Sequence, residues 1–205
     1  MSLSLFYSSL SYSQQQAVES ELSQKPTWLV LGDSLSAAYG IEVKEGWVAL
    51  MQEKYAQLNI INASISGETT SGGKQRLPDL LAKYQPEVLI IELGANDALR
   101  GQNLKITGGN IQSMIDMCPQ YNQACQVVLL GVRLPTNYGP AYDALFQQIY
   151  QQIAQKNNLL FDGFFLEPVA LDPDLMQWDG LHPNALAQPV ILNRLKPLFN
   201  QILML

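Results

Sequence analysis

A serine near the start of the sequence and the chain's one histidine near its end are the residues best suited to chemistry. Ser34 lies in Gly32-Asp-Ser-Leu35, directly after the apolar run Trp28-Leu-Val-Leu31. His182 lies in Asp179-Gly-Leu-His-Pro183, ahead of the last helical pattern. A hydroxyl becomes a nucleophile when a base that titrates near neutrality takes its proton, and imidazole is the usual base. With a single histidine in 205 residues, a Ser–His reaction has one candidate base. Asp179 precedes it by three positions, so in a turn its carboxylate can accept the Nδ1–H and leave Nε2 facing outward. Such a base works only when neutral, so activity is expected to fall below roughly pH 6.5. The competing readings are local. A serine after a strand is often a helix N-cap, and a lone histidine is often structural.

Acyl chemistry also needs donors aimed at a developing oxyanion. Asn96, in Leu93-Gly-Ala-Asn-Asp97, carries uncharged N–H donors of that kind. An Asx turn after a strand would explain it equally well. Gly67, in Ile65-Ser-Gly-Glu68, offers a backbone N–H with no side chain in a ligand's way.

These residues share one edge of the fold that the hydrophobic pattern predicts. Trp28–Leu31, Asn59–Asn62, Val88–Glu92, Val127–Leu130 and Leu159–Phe161 are short, nearly unbroken apolar runs. That pattern is expected of parallel strands buried on both faces. Helical stretches alternate with them, at about Trp47–Gln57, Gly72–Tyr84, Gly109–Met117, Ala141–Asn157 and from Asn184 onward. Pro197 should kink or break the last. Strict alternation predicts an α/β three-layer sandwich around a five-stranded parallel sheet, flavodoxin-like in its 2-1-3-4-5 order. Ser34, Gly67 and Asn96 then follow the first, second and third strands, at the carboxyl edge where such sheets bind ligands.

Composition sets the outer bounds. A chain of 205 residues supports one ordinary domain. A net charge of −6 disfavours nucleic acid and anionic lipid as partners. No apolar run approaches the roughly 18 residues of a membrane span, so stable membrane insertion is not expected. Residues 1–25 stand apart from a domain over 26–205. They lack the charged start and unbroken apolar core of a signal peptide, and read either as a trimmed leader remnant or as a native arm. Cys118 and Cys125 are the only cysteines. Either they close a short disulfide, as suits an exported protein, or they are free thiols. Two cysteines and one histidine cannot close a four-ligand zinc site, and no pattern requires a metal or organic cofactor.

Taken in order, Gly32-Asp-Ser-Leu35, Gly67, Gly94-Ala-Asn-Asp97 and Asp179-Gly-Leu-His182 resemble the four blocks of the GDSL, or SGNH, hydrolase superfamily over residues 27–200. The stretches Asn62-Ala-Ser-Ile-Ser-Gly67, Thr70-Ser-Gly-Gly73, Arg76-Leu-Pro78, Arg133-Leu-Pro-Thr-Asn-Tyr-Gly139 and Asp179–Asn184 narrow the likeness to the bacterial arylesterase, acyl-CoA thioesterase I and lysophospholipase group. The resemblance implies an SGNH hydrolase fold with Ser34 as nucleophile, His182 as base and Asp179 orienting it. Ser34 N–H, Gly67 N–H and the Asn96 amide would form the oxyanion hole. It implies a small-molecule acyl ester or thioester substrate, with Leu99, Leu134, Pro135 and Tyr138 beside the acyl tail. It also implies a bacterial periplasmic or secreted enzyme without a cofactor. Ala95 departs from the family where a second glycine is common, and the Cys118–Cys125 segment is longer than usual and should project away from the site. A carbohydrate acetylesterase, or a non-catalytic binding module on the same fold, are the alternatives.

Overall fold

A computed structural model describes residues 25–204. The arm or leader expected over 1–25 lies, apart from Lys25, outside the described residues. Five parallel strands form one sheet in the order β2-β1-β3-β4-β5: β1 Thr27–Gly32, β2 Asn59–Asn62, β3 Val88–Glu92, β4 Gln126–Leu130 and β5 Leu160–Asp162. Helices α1 Trp47–Lys54, α2 Thr70–Tyr84, α3 Ala95–Leu99, α4 Leu104–Tyr121, α5 Pro140–Asn157 and α6 Gln188–Leu203 complete the described fold, with short 3-10 turns between some of them.

Side chains alternate across a strand, and β1 shows which helices each face meets. Trp28 stacks edge-on against Phe199 of α6, and Trp47 of α1 lies 6.4 Å from the same ring. Leu31 instead approaches Gly73 of α2 near Met114 of α4. So α1 and α6 cover one face, while α2, α4 and α5 pack together on the other. The central strands are buried as expected. The edge strands are less buried, because each lacks a neighbour on one side: β5 is half-buried throughout, and β2 is half-buried at Ile60 and Ile61 and exposed at both ends. The expectation of burial on both faces holds for the middle of the sheet alone.

Pro197 neither breaks α6 nor ends it; the helix runs continuously from Gln188 to Leu203. Proline removes the bond to the carbonyl four residues back, here Asn193. Both residues are exposed, so water can satisfy that carbonyl. Buried Ile191, Leu195 and Phe199 hold the helix on either side. The helix α4 begins earlier than Gly109, because Asn103 caps it by accepting from the Lys105 N–H at 2.9 Å. Gly108 and Gly109 therefore lie inside the helix, not at its start. Gly108 permits close packing: a Cβ there would sit 2.9 Å from Ile149 of α5.

Candidate active site

The parallel register of β1 and β3 sets Gly32 beside Glu92 as the last paired residues. A Cβ on Gly32 would lie 2.9 Å from Glu92 Oε2 and 2.8 Å from Ser36 Cβ. Glycine therefore lets the Glu92 carboxyl reach under the turn that follows β1. There Oε2 accepts from Ser36 Oγ at 2.8 Å and from the Asp33 N–H at 3.3 Å. Asp33 in turn accepts from the Leu35 N–H at 3.0 Å and from the Asn96 amide at 3.0 Å. The turn carrying Ser34 thus rests on two buried carboxyl groups.

Asp33 and Glu92 are each 1% exposed, and among the described residues neither pairs with a lysine or arginine. Burial pushes the Asp33 carboxyl up to about 6, against the pull of Leu35 N–H, the Asn96 amide and nearby His182. Burial first, and then the neighbouring Asp33 charge, drive Glu92 well above the carboxylate range.

The histidine loop closes over this turn. His182 Nε2 lies 2.9 Å from Ser34 Oγ, and its Nδ1 lies 2.7 Å from Asp179 Oδ2. The other Asp179 oxygen accepts the backbone N–H groups of Leu181 and His182 at 2.9 and 3.0 Å. Burial pushes the Asp179 carboxyl upward, but these backbone bonds and the imidazole outweigh it and hold the group below its usual value. Asp179 therefore stays ionised where the imidazole needs an acceptor. Asn184 caps the 3-10 turn ahead of α6, accepting from Leu186 N–H at 2.9 Å. Gln177 ties the two loops together, donating to the carbonyls of Tyr39 at 2.7 Å and Pro183 at 3.1 Å. The Tyr39 ring lies 4.5 Å from the imidazole.

Two of the expected oxyanion donors sit on segments tied to the Ser34 turn. The Asn96–Asp33 bond holds the amide beside the Ser34 turn. Ile65 N–H donates to Gly32 O at 3.0 Å, pinning the Gly67 loop to the end of β1. Gly67 has φ of +78° in the turn closed by Glu68 N–H on Ile65 O, a conformation that favours glycine at the third position. Among the described residues, neither the Ser34 nor the Gly67 N–H donates within the protein. Asp97 ties this edge together from below. It accepts from the Thr70 N–H at 2.8 Å and from Gln102 at 2.7 Å, and also bonds the Thr70 hydroxyl.

Not every expected contact falls at the opening. Leu134 is 7% exposed and part of the core, because Asp143 takes its N–H at 2.8 Å and pulls the segment inward. It is not a free groove residue. Leu99, Pro135 and Tyr138 are half-buried, and the Tyr138 hydroxyl donates to Leu99 O at 3.0 Å. That bond joins the two loops expected to flank an acyl tail. Cys118 and Cys125 are joined in a disulfide with Cα atoms 5.7 Å apart. It spans the end of α4 and the start of β4, at the edge of the sheet opposite Ser34. Glu92, Asp33, Gln177 and Tyr39 were not foreseen. Asp33 stood in the Gly32-Asp-Ser-Leu35 motif, and Glu92 was marked as an acid closing the otherwise apolar Val88–Ile91; Gln177 and Tyr39 carried no such signal.

Comparison with known proteins agrees with this fold. Residues 30–188 match the GDSL-like Lipase/Acylhydrolase family. The esterase TesA of Pseudomonas aeruginosa is 42% identical, covering 86% of this chain and 89% of the relative. The thioesterase 1/protease 1/lysophospholipase L1 of Escherichia coli K12 is 40% identical, covering 85% of each chain. Among solved structures, the psychrotrophic esterase EstA of Pseudoalteromonas sp., inhibited by monoethylphosphonate, superposes with a TM-score of 0.82. It is 41% identical, over 87% of this chain and 99% of that one.

Proposed function

Because this chain belongs to the GDSL-like Lipase/Acylhydrolase family, we propose that it is a serine esterase that cleaves acyl esters and thioesters through an acyl-enzyme. Its relatives are bacterial enzymes named for ester and thioester hydrolysis, and carboxylic ester hydrolysis is the activity assigned here. The observation that carries the residue assignment is the continuous chain from Ser34 Oγ through His182 to Asp179, at 2.9 and 2.7 Å.

The steps follow from that chain. Ser34 Oγ attacks the carbonyl carbon while its proton passes to His182 Nε2, and the Asp179 carboxylate stabilises the imidazolium. The carbonyl oxygen becomes an oxyanion facing Ser34 N–H, Gly67 N–H and the Asn96 amide. Collapse breaks the bond to the alcohol or thiol, which leaves with the proton from Nε2. Water then attacks the acyl-serine, giving its proton to Nε2. A second collapse releases the carboxylic acid and returns that proton to Ser34.

The opening suits apolar groups on small-molecule substrates. Trp178, 98% exposed, and Leu181, 43% exposed, flank Asp179 and His182 in the chain, and Tyr39 is half exposed against the imidazole. The Leu99–Tyr138 tie offers a wall for an acyl chain on the other loops. An oxidising compartment, the periplasm or the exterior, fits the disulfide. No described helix is long and apolar enough to cross a membrane.

The test is covalent labelling with a fluorophosphonate, paired with hydrolysis of p-nitrophenyl esters of about two to sixteen carbons. The wild type should be labelled and should turn over esters, and Ser34→Ala should do neither. Labelling that survives in Ser34→Ala removes Ser34 from its role. Turnover confined to acetyl esters would favour a carbohydrate acetylesterase.

A further inference from the structure

We propose that Glu92 is a positioning residue for the reaction: it carries the single proton of a buried carboxyl pair with Asp33, and so keeps Asp33 as the anion that aims the Asn96 amide at the oxyanion. The inference rests on the esterase reading and on Asn96 as an oxyanion donor.

Glu92 holds the Asp33 backbone N–H and feels the Asp33 charge. With both carboxyls 1% exposed and without a lysine or arginine partner among the described residues, charging both at neutral pH is strongly disfavoured. The bonds decide which one holds the proton. Both Asp33 oxygens receive N–H donors, Oδ1 from Leu35 and Oδ2 from Asn96, and hydrogen bonds of this kind favour the charged form. The two donors to Glu92, Ser36 Oγ and Asp33 N–H, both reach Oε2. Oε1 is left to bear the proton. The other ionisable groups around the pair agree with this split. His182 on the C-terminal loop favours the Asp33 anion. Tyr150 of α5 feels Asp97 of α3 as well as Glu92 and Asp33, and its phenol donates to Leu93 O at 2.5 Å. Among the described residues, no lysine or arginine pairs with Glu92 to favour its ionised form.

The geometry links this proton to catalysis. An asparagine amide has two N–H donors. One is held by Asp33 at 3.0 Å, which fixes the amide plane and directs the other toward the reacting carbonyl. Glu92 acts one step further out, holding the Asp33 N–H and the Ser36 hydroxyl.

The experiment compares wild type, Glu92→Ala and Glu92→Gln as full chains, using p-nitrophenyl butyrate from pH 5 to 8. Glu92→Ala should lower kcat roughly 10- to 100-fold with KM changed less than about threefold, part of what losing an oxyanion donor costs. Glu92→Gln, neutral and able to make the same bonds, should restore kcat to within about threefold of wild type. Its acid limb in kcat/KM should lie within about 0.3 pH unit of wild type, because one neutral group replaces another. An acid limb displaced downward by about one unit or more would mean that a charge had been removed, and would overturn the proposal. So would Glu92→Gln as impaired as Glu92→Ala, or Glu92→Ala with wild-type kcat and only a lower melting temperature. If Glu92→Ala does not fold, the Glu92→Gln pH profile decides alone. Fluorophosphonate labelling of the wild type separates the two readings: an unlabelled, inactive wild type ends the esterase assignment, whereas a labelled one with a displaced Glu92→Gln limb ends only this one.

Discussion

Replacing Asp33 by asparagine removes a buried charge at nearly constant shape, so it should stabilise the protein in a way that depends on pH. Burial raises the Asp33 carboxyl from 3.8 to about 6. A carboxyl raised in the native state binds its proton more tightly folded than unfolded. Stability therefore falls as pH rises from the unfolded value toward the folded one, and stays low above it. At about 1.4 kcal/mol per unit, the interval from 3.8 to about 6 corresponds to about 3 kcal/mol. Asparagine has no such titration. Most of that difference, somewhat more than about 2 kcal/mol, develops between pH 4 and pH 7. In a domain of this size each kcal/mol moves Tm by about 2–4 °C, so Tm of the variant minus wild type should grow by about 5–10 °C over that interval. The new side chain also presents a donor to Asn96 where Asp33 Oδ2 accepted. That mismatch displaces the whole curve without changing its slope, and it should lower kcat. Melting followed by the fluorescence of Trp28 and Trp47, 1% and 0% exposed, measures the difference at each pH. A gap equal at pH 4 and pH 7, or one that narrows, would refute a raised carboxyl at this position.

Two other substitutions test separate parts of the molecule. Asn96→Ala should fold normally and lose two to three orders of magnitude in kcat, about 3–4 kcal/mol of barrier; steady-state kinetics showing near-full activity would exclude it from the oxyanion hole. Replacing Cys118 and Cys125 together by serine should lower unfolding free energy by about 2–3 kcal/mol, from the short loop they close. Because the bridge lies across the sheet from Ser34, kcat at 25 °C should stay within about twofold, and a larger fall in the folded variant would contradict that separation.

The strands and the loop around His182 were legible because each rests on a local signal, apolar runs for the first and Asp–x–x–His for the second. Strand order followed from the strand–helix alternation, and the joining of distant motifs from residue chemistry and the family resemblance. The supports beneath them were not legible. Glu92 and Gly32 meet only through the β1–β3 register, and Gln177 reaches Tyr39 across 138 positions. Neither contact leaves a periodic trace. Leu134 was misread because an apolar residue after a strand looks the same whether it lines an opening or is drawn inward by Asp143. Whether Pro197 breaks its helix was illegible for a similar reason: that depends on which face a proline occupies, and here the face is exposed and the helix runs on.

The clearance at Gly32 ties two distant positions into one steric unit. A methyl group there would collide with the carboxyl oxygen of Glu92 and with the Ser36 side chain. Alanine at 32 would require both a shift of Ser36 and a shorter residue at 92, which would withdraw the carboxyl from beneath the Ser34 turn. Substitutions at these two sites should therefore be strongly non-additive, with the glycine of the N-terminal motif constrained by a side chain sixty residues downstream as much as by its own backbone.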